Sequence, residues 1–184
     1  MHRSDYPKIL QAGENALLIY LAPAADPAIL AQVQWLTSQL RQKLGSLLLE
    51  LVPSYHSVLL VFDFLRLDQV QLELCLNDLL IELQTLLRQH PDFFTLTSSK
   101  VVELPCYYSV ESGPDLQAVA QQHQLTVAQL IKIHSAQRYQ VYAIGFAPGF
   151  AYLGWIDQRI ATPRLATPRL KVPAGSVAIA DRQT

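Results

Sequence analysis

The stretch at residues 145–176, GFAPGFAYLGWIDQRIATPRLATPRLKVPAGS, constrains the fold more than any other part of this chain. It holds Gly145, Gly149, Gly154 and Gly175 of the seven glycines, and Pro148, Pro163, Pro168 and Pro173 of the eleven prolines. Glycine opens backbone conformations closed to other residues, while proline fixes φ and removes an amide donor. A segment dense in both follows a specified, irregular path that no long helix can supply. Such paths lie at the surface and carry function more often than core elements do. The stretch also contains a tandem pentapeptide, Ala161-Thr-Pro-Arg-Leu165 followed at once by Ala166-Thr-Pro-Arg-Leu170.

Upstream the pattern is regular. Residues 16–22, ALLIYLA, form a short apolar run that reads as a buried strand. Asp26-Pro27 reads as an N-cap followed by proline at the first helical position. Ile29, Val33, Leu36, Leu40 and Leu44 then share one helical face, and Gly45 reads as the C-cap. Residues 47–52 and 57–63 read as strands joined by the turn Pro53-Ser-Tyr-His56. Asp68 caps a second helix carrying Leu72, Leu76, Leu79, Leu83 and Leu86, although residues 70–76 also alternate like a strand. With a last strand at 100–104, this order makes a split βαβ unit of ferredoxin-like type. His90-Pro91-Asp92 and Thr97-Ser98-Ser99 punctuate the chain and place a boundary near residue 95.

The second half differs. Residues 101–108 read as a strand. Gly113-Pro114-Asp115 opens a helix over 116–123, Thr126 caps another over 127–135, residues 138–144 are β-rich, and a strand begins at 172–180. The fold class is therefore α+β, with domains at 1–95 and 96–184. The second part is expected to belong to a protein longer than this chain.

Composition narrows the function classes. A hydrophobic fraction of 51% and a charged fraction of 16% describe a folded chain. A net charge of −1 gives no electrostatic footprint for nucleic acid or an anionic membrane. Cys75 and Cys106 have no metal or disulfide spacing and sit among apolar residues, so buried free thiols and a cytoplasmic location are expected. The residues after Met1 hold no apolar signal-peptide core, and no apolar run reaches the roughly 18 residues of a membrane span. There is no Walker A ending, no G-x-G-x-x-G fingerprint and no recognisable Ser-His-Asp order.

Several motifs together resemble the family of 5-oxoprolinase B subunits, which includes the allophanate hydrolase subunit 1 proteins and the sporulation kinase inhibitor KipI. They are Gly145-Phe-Ala-Pro-Gly-Phe-Ala-Tyr-Leu153, Pro163-Arg164, Pro168-Arg169 and Pro173-Ala-Gly-Ser-Val-Ala-Ile179. Upstream matches are Pro53-Ser-Tyr55 with Ser57 and Asp63, Pro105-Cys-Tyr107, Gly113-Pro-Asp-Leu116, and residues 131–134 followed by 139–142. The resemblance implies a small ferredoxin-like α/β domain followed by a cyclophilin-like β-barrel. In the family the pattern runs on past Gln183-Thr184, so the barrel is expected to be incomplete here. The implied activity is ATP-dependent opening of 5-oxo-L-proline to L-glutamate, at a pocket shared with partner subunits A and C. ATP is used by the complex, and no cofactor is assigned to this chain. Two other family activities fit the same motifs: the carboxyltransferase lobe of a urea or allophanate system, and inhibition of a sporulation histidine kinase.

The candidate catalytic residues are His134, Arg164 and Arg169. Each arginine follows a proline that stiffens its segment, and a guanidinium grips carboxylate or phosphate in a bidentate fork. Both would equally suit a surface or a partner contact. His134 reads either as a general base or as a helix C-terminal histidine that meets the dipole. The candidate substrate-binding residues are Gly145, Phe146, Pro148, Gly149 and Tyr152. Their loop either presents amides to an anion or packs its aromatic rings into a core.

Overall fold

The computed structural model describes residues 6–94 and 100–184. It divides into two compact units, Met1–Lys100 and Val101–Thr184. The punctuation at Thr97-Ser98-Ser99 lies outside the described residues.

The first unit is a four-stranded antiparallel sheet backed by two helices. Its strands are β1 (Lys8–Gly13), β2 (Ala16–Tyr20), β3 (Leu48–Ser54) and β4 (Ser57–Phe62), in the order β1-β2-β4-β3. Helix α1 (Pro27–Leu44) crosses from β2 to β3, which flank β4. Its local signals act as read: the Asp26 carboxylate accepts from the Ala28 amide at 2.8 Å, and Gly45 closes the helix with φ +45°. Helix α2 (Gln69–Gln89) is capped by Asp68, which accepts from the Gln71 amide at 2.9 Å. The alternating stretch 70–76 is thus helical. Twenty-one residues of leucine-rich sequence with a cap outweigh a short alternation.

Strand β4 shows why the sheet has one wet and one dry face. Val58, Leu60 and Phe62 are buried, while Leu59 and Val61 between them point the other way and stay half-buried. The dry residues meet Leu17 and Ile19 of β2, Leu36 and Leu40 of α1, and Leu72, Leu76 and Leu79 of α2 in one core. Each such side chain contributes about 1.5–3 kcal/mol of burial. Pro53 sits within β3, an edge strand, where a missing amide costs little.

Two strand expectations change here. The sheet's fourth strand is β1, which pairs with β2 from Lys8↔Tyr20 to Gly13↔Ala16. It occupies the edge that a strand at 100–104 would have taken, and residues 100–109 form no strand at all. Cys106, expected to be buried there, is accordingly exposed, and Cys75 is half-buried.

The second unit contains α3 (Leu116–Gln122), α4 (Val127–Ser135) and a hairpin of β5 (Gln140–Ile144) with β6 (Ala151–Gly154). Helix α4 opens with a full capping box in which Thr126 and Gln129 satisfy each other's amides. Replacing Thr126 by alanine should cost about 1 kcal/mol of second-unit stability, read from urea unfolding. Ala120, Leu130, Ile156 and Ile160 form the local core. Strand β6 falls within the stretch that reads as loop. Residues 172–179, expected to begin a strand, contain none, because Gly175 at φ +79° turns the chain and Ser176 closes back onto the Pro173 carbonyl. The described residues of this unit form no closed barrel, since the edges needed at 101–108 and 172–180 are irregular. Among the described residues no helix is long and apolar enough to cross a membrane.

Candidate functional site

His134 lies on the last turn of α4, only 8% exposed. Both ring nitrogens are engaged. Nδ1 is 2.5 Å from the Tyr108 hydroxyl, and Nε2 is 3.0 Å from Thr184 Oγ1. The Tyr139 hydroxyl donates to the His134 carbonyl at 2.7 Å, and the Tyr139 ring lies 5.4 Å from the imidazole. Thr184 is held in place by the backbone. Its amide and carbonyl exchange hydrogen bonds with Leu153 of β6, at 3.1 and 2.9 Å, so residues 182–184 run antiparallel beside that strand.

Burial depresses the His134 pKa below its ordinary value of 6.5. The helix-dipole reading, which needs a charged ring, would push the pKa the other way. Burial also raises the hydroxyl pKa of Tyr108, reinforced by a hydrogen bond with Cys106. Burial raises Tyr139 as well, with Asp157 adding to it. His134 is thus a neutral imidazole enclosed by neutral phenols.

The arginines sit elsewhere. Arg169 pairs with the Asp115 carboxylate, both partners being partly exposed. Asp115 opens α3 but makes no side-chain cap, because its carboxylate is turned to Arg169. Arg164 is exposed. Among the described residues no hydrogen bond or ion pair joins His134 to Arg164 or Arg169. A second charged pair stands at Asp157, which receives Arg159 through both carboxylate oxygens and through the Arg159 amide; those bonds hold its carboxyl down at about 2.

The 145–150 loop closes on itself. The Gly145 amide donates to the Phe150 carbonyl at 3.0 Å, and the Phe150 amide to Ala147 at 3.0 Å. Those two donors are therefore not offered to an anion. Gly149 at φ +80° meets the turn's need for a left-handed residue, and Phe146 adopts φ +70° despite its bulk. Phe146 is 91% exposed, so the aromatic residues do not fill a core. They form a surface ladder instead, with ring centroids 5.5 Å apart for Phe146–Phe150 and 5.0 Å for Phe150–Tyr152.

Beyond the predicted residues, the structure brings in Tyr108, Thr184, Asp115 and His123. His123 Nε2 lies 2.9 Å from Thr162 Oγ1, whose own proton goes to the Ile160 carbonyl, so His123 is the donor. Asp115 could have been found from its place in the Gly113-Pro114-Asp115 motif. Tyr108 and Thr184 gave no local signal, since their partner is 26 and 50 residues away. Among the described residues no cluster of His, Cys, Asp or Glu is arranged to hold a metal ion.

The pattern of the carboxyltransferase domain, subdomain C and D, matches residues 7–184. The chain belongs to that family. The 5-oxoprolinase B subunit of Haemophilus influenzae is 37% identical over 96% of this chain and 77% of its own length. The 5-oxoprolinase B subunit of Bacillus subtilis is 48% identical over 85 residues, which are 46% of this chain and 35% of that protein. The family resemblance read from the 145–179 motifs is borne out by these relatives. The crystal structure of TTHA0988 is similar with a TM-score of 0.73 at 28% identity, covering 91% of this chain and 31% of that one.

Proposed function

We propose that this chain is the B subunit of an ATP-dependent 5-oxoprolinase. With partner subunits A and C it would open the lactam of 5-oxo-L-proline to L-glutamate in the cytoplasm, coupled to ATP hydrolysis. The observation that carries this reading is the named Haemophilus relative, matched along nearly the whole chain. Residues 1–95 form the ferredoxin-like domain in this reading, and residues 96–184 belong to a cyclophilin-like barrel.

The site residues fit the chemistry. The substrate carries a carboxylate, and a phosphorylated intermediate would add a second anion. Arg169 is pre-oriented by Asp115, and Arg164 stands exposed on the same proline-stiffened stretch. A neutral His134 would act through the hydroxyls bonded to its two ring nitrogens, those of Tyr108 and Thr184. The Phe146 and Tyr152 rings, with Gly145, Pro148 and Gly149 shaping the turn, would form an apolar wall. The match to a carboxyltransferase domain favours one other reading, a lobe of a urea or allophanate system.

Reconstitution decides between them. The chain alone should show no turnover. Mixed with subunits A and C, it should support 5-oxoproline-dependent ATP hydrolysis and glutamate release. Arg164→Ala or Arg169→Ala should cut that turnover by about tenfold or more, equivalent to about 1.4 kcal/mol, while folding and co-purification survive. Turnover by the isolated chain sinks the proposal that it works only in a complex. Biotin- and bicarbonate-dependent activity on urea or allophanate would favour the carboxyltransferase lobe, and inhibition of a histidine kinase without turnover the regulator.

A further inference from the structure

Two side chains and the ring between them form one continuous line: Tyr108 hydroxyl, His134 Nδ1 and Nε2, Thr184 hydroxyl. Their sequence separations of 26 and 50 residues mean that only the tertiary fold assembles it. A neutral imidazole has one donor and one acceptor, so the line has only two self-consistent polarities. In the first, Tyr108 donates to Nδ1, Nε2–H donates to Thr184, and the Thr184 proton is left to point away from the ring. In the second every bond is reversed, and the phenol proton points away instead. The two polarities hold the same number of protons and differ in which end presents a donor.

The surroundings choose between them. A phenol is a stronger donor than an aliphatic hydroxyl, so the short 2.5 Å contact is best used with Tyr108 donating. Cys106 beside Tyr108 favours the protonated phenol, so Tyr108 keeps a proton to donate. The Tyr139 hydroxyl is committed to the His134 carbonyl, so it does not compete for either nitrogen. It also fastens the ring's own backbone, and its ring packs against the imidazole at a tilt of 38°. Charged groups on the surrounding elements include Asp157, which acts on Tyr139 and is paired with Arg159, Lys132 on α4, and Arg182 on the segment that carries Thr184.

We infer that Tyr108 is a positioning residue that holds His134 in its Nε2–H tautomer, so that Thr184 presents an outward hydroxyl proton at the end of a three-membered relay. A group that takes that proton from Thr184 is answered by Nε2–H moving to Thr184 and the Tyr108 proton moving to Nδ1. The imidazole ends neutral with the opposite tautomer, and the phenol is re-protonated from solvent. No charge is stranded on the buried ring, which suits its burial. The inference deepens the reading of His134 as a site residue and rests on it for the kinetic arm alone.

The test combines imidazole nitrogen NMR on the full chain with turnover of the reconstituted complex. At neutral pH, His134 should show protonated Nε2 and unprotonated Nδ1. Tyr108→Phe should abolish that preference and move the His134 titration upward, because the bond that favours the neutral ring is gone. Thr184→Val should leave the tautomer as it is. In the complex, Tyr108→Phe should lower kcat by about tenfold or more with little change in KM, and move the acid limb of the pH profile upward. A protonated Nδ1 in the unmodified chain overturns the inference, as does a Tyr108→Phe variant with unchanged tautomer and titration. Should Tyr108→Phe fail to fold, the unmodified tautomer and Thr184→Val still decide it. A complex that never turns over 5-oxoproline defeats the proposed function, while the NMR arms judge the relay independently.

Discussion

Replacing Leu60 by alanine is expected to lower the unfolding free energy of the first unit by about 2–5 kcal/mol, the range for a buried leucine whose cavity only partly relaxes. Leu60 is fully buried on β4, in register with Leu17 of β2 on one side and Leu51 of β3 on the other. Both neighbours are fixed by backbone ladders, so the sheet cannot close over the missing atoms, and the helices that cover it are held by their own leucines. Urea unfolding monitored by far-UV circular dichroism measures the loss. Leu65→Ala, at a strongly exposed position, is the control and should fall within about 0.5 kcal/mol of the unmodified chain. A Leu60→Ala loss below about 1 kcal/mol would show that this core is more yielding than its register implies.

The second large effect belongs to His134. His134→Ala removes the shared partner of Tyr108 and Thr184, leaves two hydroxyls competing only with water, and opens a space beside Tyr139. About 2–4 kcal/mol of second-unit stability should be lost. The same residue sets a pH dependence. Its folded pKa lies below the ordinary 6.5, so between those values the unfolded chain binds more protons than the folded one. Stability should therefore be at its full value above pH 6.5 and fall progressively as the pH drops toward the folded pKa. The His134→Ala chain should lack this second-unit loss. The first unit retains its own dependence of the same sign through His56, whose pKa burial also lowers. A second unit whose stability is flat with pH would mean that His134 is protonated as readily in the fold as in the unfolded chain.

Much of the first unit was legible because its signals are local. Asp26-Pro27, Gly45 and Asp68 stand at helix ends and act through bonds spanning two to four residues. The leucine spacings of α1 and α2 map directly onto the buried face. What stayed hidden was which strand fills the sheet's open edge. Residues 8–13 and 100–104 both can extend, and the choice is made by a hairpin of minimal loop length bringing β1 onto β2.

The site divides in the same way. The 145–176 stretch announced its irregular path through glycine and proline, and the positive φ values at Gly149 and Gly175 are what those residues permit. The strand inside it, β6, was masked by that same composition, because its pairing with β5 and with residues 182–184 is non-local. The tandem pentapeptide makes the point most sharply. In the first copy Thr162 is buried, bonded by His123 and bridged to Asp181, while Arg164 is exposed. In the second copy Thr167 is exposed, and Arg169 pairs with Asp115. Five identical residues have identical propensities, so sequence determines only that each copy is stiff and carries an arginine. Which threonine is enclosed and which arginine is paired depends on what the rest of the chain brings alongside, and those partners arrive from 39 and 54 residues away.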